Sequence, residues 1–338
     1  MRRISILFIF FLTGISGLIY QVAWVRQATL VFGVSVYAYS VVLAAFMGGL
    51  ALGSYWLGRR ADHTEALLRF FARLQIGIAL FGALSPFLLT GLMPLYASIA
   101  RGLPTGSPLI VAVRALFSIL ILTPPTFLMG ATLPVLARAV VTRGKRIGSE
   151  VGQLYAADTL GAALGCALTG LFLLRTLGTR ETILLAATLN LLAAALAFFL
   201  MSRLKDPTET ASRKTSSRGK KAKAAADDTP IQPISPFVRR FILWAYAISG
   251  FVALGYEVVW ARVLAIFTLD AVYSFAIMLT TFLAGITLGG WLCAWWLRQQ
   301  NRRVTLTNFV DLQIGLGIAA LITLFVFARL PAQYGRDI

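Results

Sequence analysis

The chain of 338 residues is 58% hydrophobic and 13% charged, with a mean hydropathy of +0.80, whereas soluble domains are about half apolar and a quarter charged. This composition excludes a soluble globular protein, because so few polar side chains could not cover its surface, and it predicts that lipid surrounds most of the chain. The 31 Lys and Arg residues against 13 Asp and Glu give a net charge of +18. We assign this charge to membrane loops rather than to nucleic-acid binding.

Nine apolar stretches are long enough to cross about 30 Å of hydrocarbon. They lie at 4–25, 31–57, 67–95, 109–139, 151–174, 181–201, 239–261, 268–297 and 305–329. Their Leu, Ala, Phe and Gly residues lack the two-residue alternation of a membrane barrel strand. The sequence therefore predicts an all-α polytopic membrane protein. The basic and apolar start of the first stretch is also typical of a secretory signal, an alternative that the internal repeat argues against.

An internal duplication relates the two ends of the chain. Tyr20–Arg26 reads YQVAWVR, and Tyr256–Arg262, 236 positions later, reads YEVVWAR. The same offset aligns Tyr37 with Tyr273, Phe46 with Phe282, and GLALG from Gly49 with GITLG from Gly285. We predict a first repeat of six helices at 1–202 and an incomplete second repeat of three helices at 239–338. The missing helices indicate either a fragment, which we favour, or a protein completed by a partner subunit.

The segment between the repeats, 203–238, is strongly basic. Residues 205–236 contain no aromatic side chain and many Lys, Ser, Thr, Ala and Pro residues, a composition that cannot sustain a packed core. We predict a disordered linker here, which serves as a solvated tether or lies on anionic lipid. Most Lys and Arg residues fall in this linker and in every second connection, and the positive-inside rule therefore predicts a cytoplasmic N-terminus.

The residue types of common catalytic and metal sites are scarce. His63 is the single histidine, and Cys166 and Cys293 each lie in an apolar run. A histidine-based triad, a metal cluster and a disulfide framework are therefore not expected. The glycine motifs that bind dinucleotides or triphosphates are not found either. We predict no catalytic residue, no metal and no cofactor in this chain.

Polar and ionisable side chains inside the predicted spans are the candidate binding residues, because a charge that faces lipid is costly. Asp158 lies in the fifth predicted helix, and Glu257 lies in the seventh. Carboxylates beside aromatic faces suit a small cation; the alternative for Glu257 is an interfacial anchor paired with Arg262. The predicted substrate-binding set is Asp158, Tyr155, Glu257, Tyr256, Trp260, Gln21 and Trp24, in which Gln21 and Trp24 are the repeat equivalents of Glu257 and Trp260.

Small residues and prolines give two further expectations. The motifs that begin at Gly49, Gly161 and Gly285 carry glycines four residues apart, which predicts faces where helices approach closely. Pro124 and Pro125 in the fourth helix lack amide donors, which predicts a break or kink near the middle of the membrane.

Several ordered motifs resemble the membrane region of bacterial spermidine synthase-like proteins, which fuse a major-facilitator-like transporter to a spermidine synthase. They are YEVVWAR with the following Tyr273 and GITLGG, PTFLMGATLPVLAR at Pro125–Arg138, and GQLYAADTLGAALG at Gly152–Gly165. The resemblance covers nearly the whole chain. In that family a soluble aminopropyltransferase-like domain follows the helices, and its nucleoside turn and acidic polyamine pocket are not found after residue 330. The resemblance therefore implies the membrane part of a polyamine-linked protein in the bacterial inner membrane.

Three functions follow as expectations. We predict a transporter-like membrane domain that handles polyamines or another small cation. The alternatives are a membrane anchor for an aminopropyltransferase-like enzyme and a structural subunit of a larger membrane complex. The expected partners are membrane lipid, a small cationic substrate, and either a partner subunit or the missing C-terminal part of the chain itself.

Overall fold

The apolar stretches fold as helices, since a helix satisfies its own backbone hydrogen bonds where the bilayer offers no partner. The structure is a computed structural model, and it describes residues 2–32, 36–91, 94–95, 98, 108–140, 147–203, 235–268, 270–300 and 306–329. No strand occurs within these ranges. The predicted linker falls almost entirely outside them.

Ten helices of nine residues or more make up the described ranges. They are α1 (Arg2–Phe32), α2 (Val36–Ala61), α3 (Leu67–Gly91), α4 (Pro108–Gly130), α5 (Thr132–Val140), α6 (Ile147–Leu168), α7 (Thr179–Arg203), α8 (Pro236–Thr268), α9 (Ala271–Gln300) and α10 (Leu306–Arg329). A π-helical turn at Thr169–Leu173 and a short helical stretch at Leu174–Thr176 extend α6. Gly178 then turns the chain into α7 with a φ of +85°, a conformation that favours glycine.

Eight segments of the described chain are long and apolar enough to cross a membrane. They are α1, α2, α3, the pair α4 and α5 taken together, α6, α7, α8 and α9. The ninth predicted span forms α10, but its apolar part, Val310–Val326, is shorter than the other eight. Large apolar side chains cover outward faces, as Leu80, Leu84 and Leu88 do on α3. The all-α polytopic fold predicted from the sequence is therefore confirmed.

The fourth span is interrupted between Gly130 and Thr132, and not at Pro124 and Pro125. Helix α4 continues through Pro124 and Pro125 and ends at Gly130, so the helix does not break at the prolines, where a break or a kink was predicted. Ala131 donates its amide to the Leu128 carbonyl in a tightened turn, and α5 follows. The cause lies at Pro134, which has no amide to donate to the Gly130 carbonyl but is tolerated in the first turn of a new helix.

Helix α1 packs against α6 and α7, while α3 packs against α7 and α4. Two glycines of α6 let its backbone approach α1. A Cβ atom at Gly161 would collide with the Phe11 carbonyl oxygen, and one at Gly165 would collide with that of Ile15. The close helix packing predicted for this glycine motif is confirmed.

The two repeats differ in how they use their matching glycine motifs. Helix α2 packs against α4, and a Cβ atom at Gly49 would collide with Thr126. The equivalent residue in the second repeat, Gly285, has no described atom within 4 Å of a Cβ built on it. The packing prediction thus holds for the first repeat, whereas no described residue packs closely against Gly285.

The chain divides into two compact units, residues 1–287 and 288–338. The first unit contains two apolar clusters. One cluster includes Ile6, Phe10, Phe71, Leu74, Leu154 and Ala193. The other includes Ile19, Trp24, Phe46, Ile78, Cys166, Ile183 and Phe275. Along α1, α3, α6 and α7 the two clusters occupy opposite halves of each helix, and the residues between them form the candidate site.

Candidate functional site

A cavity of about 220 Å³ lies between the two apolar clusters of the first unit. Ser16 of α1, Gln75 of α3, Asp158 of α6 and Asn190 of α7 all line it. Three of these residues, Ser16, Asp158 and Asn190, lie close to the middle of their helices. The cavity therefore lies near the middle of helices that are long and apolar enough to cross a membrane.

Four of the seven residues predicted from the sequence share this cavity. Gln21, Tyr155, Asp158 and Glu257 line it, although Glu257 follows Asp158 by almost a hundred positions and belongs to the other repeat. The site therefore gathers side chains from α1, α6 and α8.

The other three predicted residues lie elsewhere. Trp24 is fully buried in the larger apolar cluster, and Trp260 packs partly buried against the same cluster. The side chain of Tyr256 is 37% exposed. None of the three is among the described residues that line the cavity.

Trp24 is held by contacts that explain its burial. Its indole Nε1 donates to Ser85 Oγ at 2.8 Å, and Ser85 Oγ donates to the Gly82 carbonyl at 2.7 Å. The indole also stacks on Tyr20, with ring centroids 5.0 Å apart. The hydrogen bond to Ser85 joins α1 to α3, and Trp24 is not among the described residues that line the cavity.

Equivalent residues of the two repeats meet at the cavity wall. Gln21 corresponds to Glu257 and Phe46 corresponds to Phe282 at the offset of 236 positions, and all four residues line the cavity. The internal duplication thus supplies one matched polar pair and one matched aromatic pair. Within these two pairs, the charge differs only between Gln21 and Glu257.

Close backbone packing fixes the position of Asp158. A Cβ atom at Gly14 would collide with the Asp158 carbonyl oxygen, so α1 and α6 touch at the level of the carboxylate. The glycines at 161 and 165 continue this contact toward the end of α6. The segment that carries Asp158 is therefore held against α1 by close backbone contacts.

Several buried polar atoms at the cavity have no hydrogen-bond partner among the described residues. Gln75, which is 0% exposed, has neither its Oε1 nor its Nε2 paired. Gln21 Nε2 and Glu257 Oε1 are also unpaired, in side chains that are 2% and 5% exposed. An unmet buried polar group costs about 1–3 kcal/mol. Three such side chains on one cavity indicate a place for a polar or charged ligand.

The two carboxylates at the cavity have no compensating cation among the residues that the structure describes. Neither Asp158 nor Glu257 forms an ion pair with a described residue, while Asp62, just past the end of α2, pairs with Arg138 at 2.5 Å. Within the described ranges, no group of three or more His, Cys, Asp or Glu side chains could hold a metal ion. The cavity is therefore an acidic pocket that can receive hydrogen-bond donors carrying positive charge.

Most residues that line the cavity were outside the predicted set, and two of them, Gln75 and Asn190, carry buried amide side chains. Asn190 accepts a hydrogen bond from Ser16 Oγ at 2.6 Å, which links α7 to α1 at the cavity. The signal for both was available, since each is a lone amide in a long apolar helix and an amide facing lipid would lose its hydrogen bonds.

Comparisons with known proteins give two distant relatives. No family model and no solved structure matches the chain. "Polyamine aminopropyltransferase 2" of Streptomyces coelicolor is 32% identical over 200 residues, which are 57% of this chain and 33% of that protein. "Polyamine aminopropyltransferase 1" of the same organism is 27% identical over 202 residues, which are 60% of this chain and 35% of that protein. The match thus spans about a third of the length of these curated relatives, to which the chain is distantly homologous.

Proposed function

We propose that the chain is a transporter-like membrane domain that binds a small organic cation of the polyamine class. The observation that carries the proposal is that Asp158 and Glu257, one from each repeat, line a single cavity without an ion-pair partner among the described residues. Two carboxylates in one enclosed space repel each other unless positive charge lies between them or one of them takes up a proton. A ligand with two or more ammonium groups meets this requirement.

The cavity lining suits the remaining parts of a polyamine. The amide groups of Gln21 and Gln75 can turn to present oxygen to an ammonium group. Aromatic faces at Phe46 and Phe282 offer cation–π attraction of about 0.5–2 kcal/mol each. Between its charges a polyamine is a methylene chain, and apolar residues such as Leu50 line the same cavity.

Two further observations favour a transporter-like domain. Repeated membrane halves with a polar site near the middle of the bilayer are common in secondary transporters, and the cavity lies at about the middle of α1, α6 and α7. The distant relatives are named as polyamine aminopropyltransferases, which supports a polyamine ligand over other small cations. The basic connections support placement in a bacterial inner membrane with the N-terminus in the cytoplasm.

A second candidate function is that of a membrane anchor for an aminopropyltransferase-like enzyme. It is favoured by the extent of the match, because two thirds of each relative lies outside the aligned stretch. In this alternative the helices hold an enzyme at the membrane, and the cavity has no part in moving its substrate.

Binding is tested on the purified protein in lipid nanodiscs with radiolabelled spermidine. The variants Asp158→Asn and Glu257→Gln keep the shape of each side chain and remove its charge. We expect each to weaken binding by about tenfold to a hundredfold, because a charge-assisted hydrogen bond contributes about 1.5–3 kcal/mol. Glu181→Gln is the matched control, since Glu181 lies in the exposed first turn of α7 away from the cavity.

Uptake by proteoliposomes separates the two candidate functions. A transporter-like domain accumulates labelled spermidine, and the two cavity variants lose that uptake while Glu181→Gln keeps it. Binding without uptake would favour the anchor. No spermidine binding by the parent protein would contradict the proposed function.

A further inference from the structure

A second cleft, of about 430 Å³, lies where α2 ends and α3 begins. Its charged lining consists of Arg60, Arg69 and Arg73. Arg69 and Arg73 are four residues apart and therefore share one face of α3. Arg60 reaches the cleft from the last turn of α2. Two helices thus contribute three arginines to the lining of one cleft.

The three arginines have no counter-charge among the described residues. None of them forms a described ion pair. The nearby Asp62 is engaged by Arg138 at 2.5 Å, and Glu65 is not among the residues that line the cleft. The cleft therefore carries three positive charges that an anionic ligand can neutralise.

The rest of the lining is suited to lipid. Leu57, Phe70 and Leu74 give the cleft an apolar wall beside its arginines. The cleft also lies at the boundary of two membrane spans, which end at Ala61 and begin at Leu67. This is the level at which phospholipid headgroups meet the hydrocarbon.

The second repeat provides an internal comparison for this cluster. At the offsets that align the repeats, Arg60, Arg69 and Arg73 correspond to Trp296, Thr307 and Asp311. The repeated helix arrangement therefore does not itself require basic residues at these positions. The three arginines belong to the first repeat alone.

We propose that this cleft binds the phosphate group of an anionic phospholipid such as phosphatidylglycerol, with an acyl chain on the apolar wall. Guanidinium groups bind phosphate oxygens in pairs of parallel hydrogen bonds, which a lysine cannot do. Basic pockets between membrane helices on the cytoplasmic side are suited to such headgroups. The site is distinct from the acidic cavity, with which it shares no lining residue.

The experiment uses native mass spectrometry of the full chain in detergent, titrated with phosphatidylglycerol or phosphatidylcholine of the same acyl chains. We expect the parent to hold phosphatidylglycerol at least tenfold more tightly than phosphatidylcholine. The triple variant Arg60→Gln, Arg69→Gln, Arg73→Gln loses this preference. A control triple, Arg59→Gln, Arg203→Gln, Arg240→Gln, removes the same charge outside the cleft and keeps the preference.

Equal loss in both triple variants, or retained preference in the cleft variant, overturns the proposal. If the cleft triple does not fold, the same comparison is made with Arg73→Gln alone against Arg59→Gln. Glycerol phosphate at millimolar concentration is added to the parent as a soluble competitor. A lipid site keeps its phosphatidylglycerol under these conditions, whereas displacement would identify a site for a soluble phosphate and contradict the lipid proposal.

Discussion

Gln21 and Glu257 occupy equivalent positions in the two repeats and line the same cavity. The duplication therefore gives this cavity two related walls, which at this matched position carry a neutral side chain in the first repeat and an acidic one in the second. Phe46 and Phe282 form a second equivalent pair on the same walls. If the two walls contribute alike to cation binding, moving the carboxylate from position 257 to position 21 should weaken binding less than removing it.

A charge exchange between these two residues tests this idea. The double variant Gln21→Glu, Glu257→Gln moves the carboxylate from one wall to the other and leaves the net charge unchanged. We expect spermidine affinity within about threefold of the parent, because the ligand still meets two carboxylates. The single variant Glu257→Gln should bind about tenfold to a hundredfold more weakly.

Scintillation proximity binding on purified protein measures both variants. The control is Gln21→Glu alone, which adds a third carboxylate and should not weaken binding of a cation. Failure of the double variant to recover any of the affinity lost in Glu257→Gln would show that the two walls are not interchangeable.

The matched glycines predict different costs for the same substitution. Gly49→Ala places a methyl group against Thr126, whereas Gly285→Ala meets no described atom within 4 Å. Overpacking a close helix contact costs about 1–3 kcal/mol, while Ala for Gly in an open helical position is favourable by up to about 1 kcal/mol. We expect thermal unfolding in detergent to shift downward for Gly49→Ala and to stay level or rise for Gly285→Ala. Equal shifts would contradict the described difference between the repeats.

Much of the fold was predictable because the membrane restricts the choices. Apolar runs of about 20 residues must be helical in lipid. Each predicted span falls on a helix or, for the fourth, a pair of helices, although α1 and α8 continue seven residues past the predicted ends at 25 and 261. The break in the fourth span was misplaced because prolines are tolerated inside a packed membrane helix. Its actual position depends on Pro134, at the start of the next helix.

The candidate site was predictable only in part. Asp158 and Glu257 were recognisable because charge is costly in a membrane helix, but the sequence does not tell which helices are neighbours. Trp24 is the repeat equivalent of Trp260. Its indole donates a hydrogen bond to Ser85 and is buried in the larger apolar cluster. Repeat matching identifies equivalent positions, whereas membership of the cavity depends on the direction in which each side chain points.

The contact between Trp24 and Ser85 should contribute to stability. Trp24→Phe removes the Nε1 donor and leaves Ser85 Oγ without it, although Ser85 still donates to the Gly82 carbonyl. A typical hydrogen bond contributes about 0.5–1.5 kcal/mol, so we expect a modest loss of thermal stability. Spermidine affinity should not change, because Trp24 does not line the described cavity.

A double-mutant cycle isolates that contact. Ser85→Ala is made alone and together with Trp24→Phe, and the three unfolding temperatures are compared with the parent. Additive effects would mean that the hydrogen bond contributes nothing measurable. A clear loss of spermidine affinity in Trp24→Phe would instead indicate a role for the indole at the site.

The charge distribution predicts the orientation in the membrane. A green fluorescent protein fused after Ser216 should fluoresce, and alkaline phosphatase fused after Gly106 should be active, because the first position is predicted to be cytoplasmic and the second external. Exchanging the two reporters should abolish both signals. The reverse pattern of activity would place the N-terminus outside and overturn the topology.

Gly14 connects helix packing to the candidate site. Gly14→Ala places a methyl group against the carbonyl oxygen of Asp158, so α1 and α6 must separate at the level of the carboxylate. We expect a loss of about 1–3 kcal/mol in stability together with weaker spermidine binding, since the binding geometry depends on this contact. Gly17→Ala, three residues along α1, meets no described atom within 4 Å and should leave stability unchanged or higher.

Gly49→Ala is the control for binding, because its collision with Thr126 lies between α2 and α4. If Gly14→Ala and Gly49→Ala lose stability alike but both keep the parent's affinity at 4 °C, the contact between α1 and α6 does not position Asp158 for binding.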